Sequence, residues 1–159
     1  MANPMILNNV LTTVLNKKRI VFLDCTTKTE ALKALIDCLS DAPEITDRKE
    51  LEEGIFHREE LMSTGIGLGI AVPHVRLSSV KDILMSVGIC RKPLQDYESL
   101  DGQPVNFVFM IIAGKDQHTQ HLKLLSSISS LLKDEKLRDS LLHAGSVDEF
   151  YSILIQKDT

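Results

Sequence analysis

Arg58–His74 reads REELMSTGIGLGIAVPH, and its second half, GIGLGIAVPH at 65–74, sets three glycines and a proline ahead of one histidine. A core histidine needs no such backbone constraint. Gly65, Gly67 and Gly69 permit positive φ and close backbone approach, and exposed amides there can hydrogen-bond an anion. Pro73 stiffens the chain directly before His74 and disfavours helix at Val72. The spacing is not the G-x-G-x-x-G dinucleotide fingerprint, and no Gly-Lys-Ser/Thr follows to make a Walker loop. On these residues alone two readings stand: a tight strand-turn-strand corner that contains a histidine, or a mount for a reactive one.

The flanking segments set the fold class. RIVFLD (19–24) is a β-branched and aromatic run, while ILMSVGIC (83–90) and VNFVFMIIAG (105–114) have the apolar character of strands covered on both faces. Between the last two, RKPLQDYESLDGQP reads as loop. TKTEALKALIDCLSDAP (27–43) opens on a threonine cap and places Ala31, Leu32, Leu35, Ile36 and Leu39 at helical spacing. DRKELEEGIFHREELM (47–62) reads as a second helix with Leu51, Ile55 and Phe56 as its apolar stripe. The C-terminal third repeats Leu and Ile at three- and four-residue steps; Ala144-Gly145 ends one helix, and Ser146 caps the next with Glu149 at capping-box spacing. Strands and helices alternate without repeat or linker. That predicts one layered α/β domain over residues 1–159.

Composition narrows the function classes. A chain of 159 residues can bury a sizeable core without a metal or disulfide staple. A net charge of -4, 4% aromatics and no Trp argue against a nucleic-acid face and against an aromatic sugar platform. Cys25, Cys38 and Cys90 form neither a C-x-x-C pair nor a zinc spacing, which suits reduced thiols. The first residues lack the layout of a secretory signal, and no apolar run is long enough to span a bilayer. The expectation is a cytoplasmic protein with no membrane insertion.

The remaining chemistry rests on five histidines and one arginine. His57 and His143 sit in charged or leucine-rich helices without a partner motif, and read as packing or surface residues. His118 and His121 stand at i, i+3 near a helix start, with Lys115 and Lys123 nearby and no carboxylate at a familiar ligand spacing. They read as a solvated face, as a metal pair, or as neighbours of a phosphate at a helix N-terminus. Arg58 is either a surface charge with i, i+4 neighbours or, turned toward His74, a planar fork for a phosphoryl group.

Taken together, REELMSTGIGLGIAVPH resembles the phosphorylation signature of the enzyme IIA domains of the fructose/mannitol class in the bacterial phosphotransferase system. The single-domain nitrogen-regulatory branch is the variant it most resembles. HLKLLSSIS (121–129), DGQPVNFVFMIIAG (101–114) and LLHAGSVDEFYSIL (141–154) are similar to further elements of that family, and the likeness covers roughly residues 6–156. Val72 stands where the family often has Ile, which keeps the volume class. The resemblance implies the family's α/β fold, a single three-layer domain with a small mixed sheet flanked by helices, and a phosphotransferase that works through a phosphohistidine. It implies that His74 accepts the phosphoryl group on Nε2, that His121 is the second, unmodified histidine, and that Arg58 stabilises the phosphoryl group. Thr64, Gly65 and Gly67 follow as weaker phosphate contacts, and no cofactor or metal is called for. The implied donor is phosphorylated HPr or its nitrogen-branch relative; the downstream partner is an enzyme IIB or a regulated protein. A free-standing chain favours the regulator over the sugar-uptake component. A non-catalytic interaction module and a metal hydrolase complete the alternatives; the first fits poorly with His74, His121 and Arg58 occurring together, the second with the unpatterned carboxylates.

Overall fold

The computed structural model describes residues 11–158. A first helix, α1, is described over residues 11–14, and a short 3-10 turn at Lys17–Arg19 leads into strand β1, Ile20–Phe22. Helix α2 (Lys28–Ser40) starts where the Thr27 hydroxyl accepts from the Glu30 amide, and it buries Ala31, Leu32, Leu35, Ile36 and Leu39. This is the stripe its spacing predicts. Helix α3 (Arg48–Leu61) is capped by Asp47, but its buried residues are Leu51, Ile55 and Glu59. Phe56 is only partly buried, so a carboxylate takes the third place in the inward stripe.

Three short strands follow: β2 (Gly65–Gly67), β3 (Ile70–Ala71) and β4 (His74–Leu77). Two long ones, β5 (Leu84–Leu94) and β6 (Val105–Gly114), form the middle of the sheet. Helices α4 (His118–Leu131), α5 (Glu135–Leu142) and α6 (Val147–Asp158) complete the chain. The Ser146 hydroxyl accepts from the Glu149 amide at the start of α6, as the capping spacing predicts.

Among the described residues six strands make one mixed sheet, in the order β1-β5-β6-β3-β2, with β4 also on β6. β1 runs parallel to β5, and β5 antiparallel to β6. β3 and β4 both lie parallel to β6 and share one register, Ile70 opposite Phe107 and His74 opposite Ile111. Pro73, lacking an N–H, falls at the break between them.

Side chains alternate across β6: Phe107, Phe109 and Ile111 enter one core with α1, α4, α5 and α6, while Val108, Met110 and Ile112 enter the other with α2 and α3. Both faces are covered, hence the continuous apolar run from 105 to 114. The sheet is the middle layer of three. Its consequence for the site is geometric: β4 carries His74 alongside β6, whose C-terminal end feeds the start of α4.

Candidate functional site

His74 is held by its backbone and by its ring. Val72 N–H donates to Thr64 O at 3.0 Å, and Ile111 N–H donates to Pro73 O at 2.9 Å, so both residues before His74 are pinned. The ring Nδ1 lies 2.6 Å from Val72 O. A carbonyl only accepts, so Nδ1 carries the proton and the neutral ring keeps its lone pair on Nε2. Burial pushes the His74 pKa below its ordinary value, and the Arg58 guanidinium adds to the effect; the Val72 hydrogen bond and Glu59 oppose it. The neutral, nucleophilic form is thereby favoured.

The ring of His121 stands edge-on to that of His74, centroids 5.1 Å apart and planes at 76°. His121 comes from the first turn of α4 and is 4% exposed. Among the described residues its buried Nε2 has no hydrogen-bond partner. Burial, followed by the basic neighbours His74, Arg76 and His118, pulls its pKa down to about 4.

These two histidines line a cavity of about 370 Å³ together with Arg58, Arg76, Lys115 and His118, and with Val75, Leu122 and Leu125. Among the described residues no carboxylate lines it. Among the described residues Arg58, Arg76 and Lys115 are in no ion pair. Arg58 sits in the last turn of α3, where it donates to Met62 O at 2.8 Å. The cap residue of α4, Gln117, gives its side-chain oxygen to the Gly114 amide rather than to the helix, and the first turn holds no acid. A chain of net charge -4 thus has a cavity lined by cations and imidazoles. Such a lining favours a compact, multiply charged anion. Among the described residues no group of three or more His, Cys, Asp or Glu could hold a metal ion.

The structure therefore brings Arg58, His74 and His121 together and adds His118 to them. His57 does not line the cavity. Nor do Thr64, Gly65 and Gly67, where the weaker phosphate contacts were expected. The Thr64 hydroxyl is buried between Glu59 and Tyr97, 2.6 Å from Glu59 Oε2 and 2.8 Å from the Tyr97 oxygen. Gly65 lies against Ser99 in an isolated bridge, and a Cβ there would fall 2.2 Å from Glu98 O. Gly67 and Gly69 have φ of 98° and 77° on either side of Leu68 at 60°, which closes the β2–β3 hairpin. The glycines serve the turn and a close loop contact.

Arg76 and Lys115 carry charge into the cavity without any motif to mark them. Arg76 shares the face of His74 by strand alternation, and Lys115 follows directly after β6. Alternation from His74 is the one signal that points to Arg76. Lys115 becomes a neighbour only through the β4–β6 register, which brings Leu77 opposite Gly114.

A family model described as "Phosphoenolpyruvate-dependent sugar phosphotransferase system, EIIA 2" matches residues 13–157. The chain is 34% identical over 124 residues to a nitrogen regulatory protein from Bradyrhizobium diazoefficiens, covering 77% of this chain and 80% of that protein. It is 40% identical over 131 residues to the fructose-specific EIIABC component of Bacillus subtilis, covering 82% of this chain but only 20% of that protein. The chain thus spans about a fifth of that relative's length. Nitrogen regulatory protein IIA-Ntr from Neisseria meningitidis has the same fold at a TM-score of 0.83, with 26% identity over 91% of this chain and 99% of that one. The mannitol IIA of Escherichia coli gives a TM-score of 0.74 at 24% identity, over 88% of this chain and 98% of that one, a likeness of fold. Among the described residues no helix is long and apolar enough to cross a membrane.

Proposed function

Because the chain belongs to the EIIA 2 family of the phosphoenolpyruvate-dependent sugar phosphotransferase system, we propose that it is a phosphocarrier whose acceptor atom is Nε2 of His74. The donor is a protein phosphohistidine, of the HPr type or its nitrogen-branch relative. The Nε2 lone pair attacks phosphorus in line with the donor's P–N bond. That bond breaks, its electron pair stays on the donor imidazole, and a new P–N bond forms on His74. The proton stays on Nδ1, hydrogen-bonded to Val72 O. Transfer of this kind asks for positioning and charge stabilisation around a loose transition state rather than for covalent work by neighbours. Arg58 and an Nε2–H of His121 donate to the phosphoryl oxygens, and Arg76, Lys115 and His118 add positive or polar character around them.

The observation that carries this reading is the pairing of Nδ1 with an acceptor-only carbonyl inside a cation-lined cavity. The test is phosphorylation from labelled phosphoenolpyruvate with enzyme I and each candidate carrier. The wild type takes up label at His74, and His74→Ala takes up none. Label that persists on the alanine variant overturns the assignment.

The output we assign is regulatory, exerted in the cytoplasm by a phosphorylation state that controls partner binding. Two nitrogen regulatory proteins, at 34% and 35% identity, are matched over 80% and 70% of their own lengths, which supports it. The 40% identity to a fructose-specific component favours a second reading, delivery of the phosphoryl group to an enzyme IIB. A chase separates them. A carrier for uptake loses its label to IIB and then to sugar, whereas a regulator keeps its label and changes what it binds.

A further inference from the structure

Glu59 occupies the inward stripe of α3 at 8% exposure, one turn beyond Ile55, where packing alone would call for an apolar side chain. Its carboxylate is fully engaged. Lys28 Nζ, at the start of α2, is 3.0 Å from Oε1. The Thr64 amide donates to Oε1 at 3.3 Å, and the Thr64 hydroxyl donates to Oε2 at 2.6 Å. With that proton committed, the Tyr97 hydroxyl donates to Thr64 Oγ1 at 2.8 Å. Burial, with Glu59 alongside, pushes the Tyr97 pKa up, so its O–H stays a donor. The Lys28 ammonium also lies 4.4 Å from the Tyr97 ring centroid.

The network does not end at Thr64. Thr64 O accepts from Val72 N–H at 3.0 Å, and Val72 O accepts from Nδ1–H of His74 at 2.6 Å. Glu59 is therefore joined to the nucleophile's ring through two residues, each held at two points. Replacing a buried ion pair with well-packed apolar groups is often neutral or stabilising, so packing does not account for a carboxylate here. A fixed acceptor geometry for Nδ1 does.

We infer that Glu59 is a positioning residue for His74: through Thr64 and Val72 it sets the carbonyl that holds Nδ1–H, and so keeps Nε2 bare and aimed into the cavity. This rests on the reading of His74 as the phosphoryl acceptor. Glu59 touches no reacting atom. Its effect belongs to the tautomer and orientation of the ring, and Lys28 and Tyr97 keep its carboxylate in place.

The experiment uses Glu59→Gln, Thr64→Val and Thr64→Ser in the full chain, each checked for wild-type amide spectra away from the site. Ring ¹⁵N shifts report the His74 tautomer without any donor present. The wild type shows the Nδ1–H form; Glu59→Gln and Thr64→Val should gain the Nε2–H form, and Thr64→Ser should restore the wild-type pattern. At saturating phosphorylated carrier the transfer rate should fall about ten- to a hundredfold in the first two, with the half-saturating carrier concentration unchanged. A folded Glu59→Gln with the wild-type tautomer and rate overturns the inference; if that variant fails to fold, Thr64→Val decides on the same readouts. Wild-type label on a residue other than His74 would instead sink the phosphocarrier assignment, leaving the tautomer result as a separate fact.

Discussion

A buried imidazole resists protonation, and His121 is such a group. Its pKa lies at about 4 against an ordinary 6.5, with burial the main cause and basic neighbours the next. The unfolded chain takes up a proton near 6.5, and the folded chain refuses one until about 4. Below the ordinary value the unfolded state binds more protons, so stability is complete above it and declines as pH falls toward 4, by about 1.4 kcal/mol per unit of pKa difference. Urea unfolding across this range should show that decline, and His121→Asn should flatten it. An equal slope in both proteins would mean that His121 is not the group responsible. His74, Arg58 and His121 were legible in the sequence because a long contiguous motif and a helix-opening pattern mark them. Glu59 was not: on a charged amphipathic helix a glutamate reads as surface, and its burial depends on Lys28 and Thr64 arriving from other segments.

Between strands the deciding contacts are close ones. The Cβ of an alanine at Gly65 would meet two backbone atoms, Glu98 O at 2.2 Å and Ser99 Cα at 2.9 Å, while one at Gly88 would meet the flexible end of Leu23 at 2.5 Å. Gly65→Ala should therefore cost about 1–3 kcal/mol in urea unfolding and Gly88→Ala clearly less, because Leu23 can turn aside. A Gly65→Ala protein as stable as wild type would show that the 98–99 loop yields easily. At this scale the sequence was readable wherever periodicity ran long. The strand read at 105–114 is observed at Val105–Gly114, and the helix read over 27–43 at Lys28–Ser40. The glycine-rich stretch was ambiguous because both readings predict the same residues. It proves to be a hairpin corner that delivers the chain to His74, with the cation-lined wall supplied by other elements.

The alternation of strands and helices foretold one layered α/β domain, and two apolar cores divided by one mixed sheet bear that out. Strand order did not follow from sequence. That β3 and β4 share β6 in one register is a pairing between residues about 37 positions apart, which local pattern does not encode. Among the described residues of the unmodified protein a buried nitrogen of His121 has no hydrogen-bond partner, with the rings of His121 and His74 5.1 Å apart. An unsatisfied buried polar group typically costs about 1–3 kcal/mol. A phosphoryl group on His74 would place an acceptor beside that nitrogen and lift the penalty in the folded state alone. The phosphorylated form should then melt higher by about 2–4 °C for each kcal/mol recovered. Scanning calorimetry on the two forms checks this, and an equal or lower melting temperature for the phosphorylated form breaks the link. Heat resistance would thus record whether the carrier is loaded.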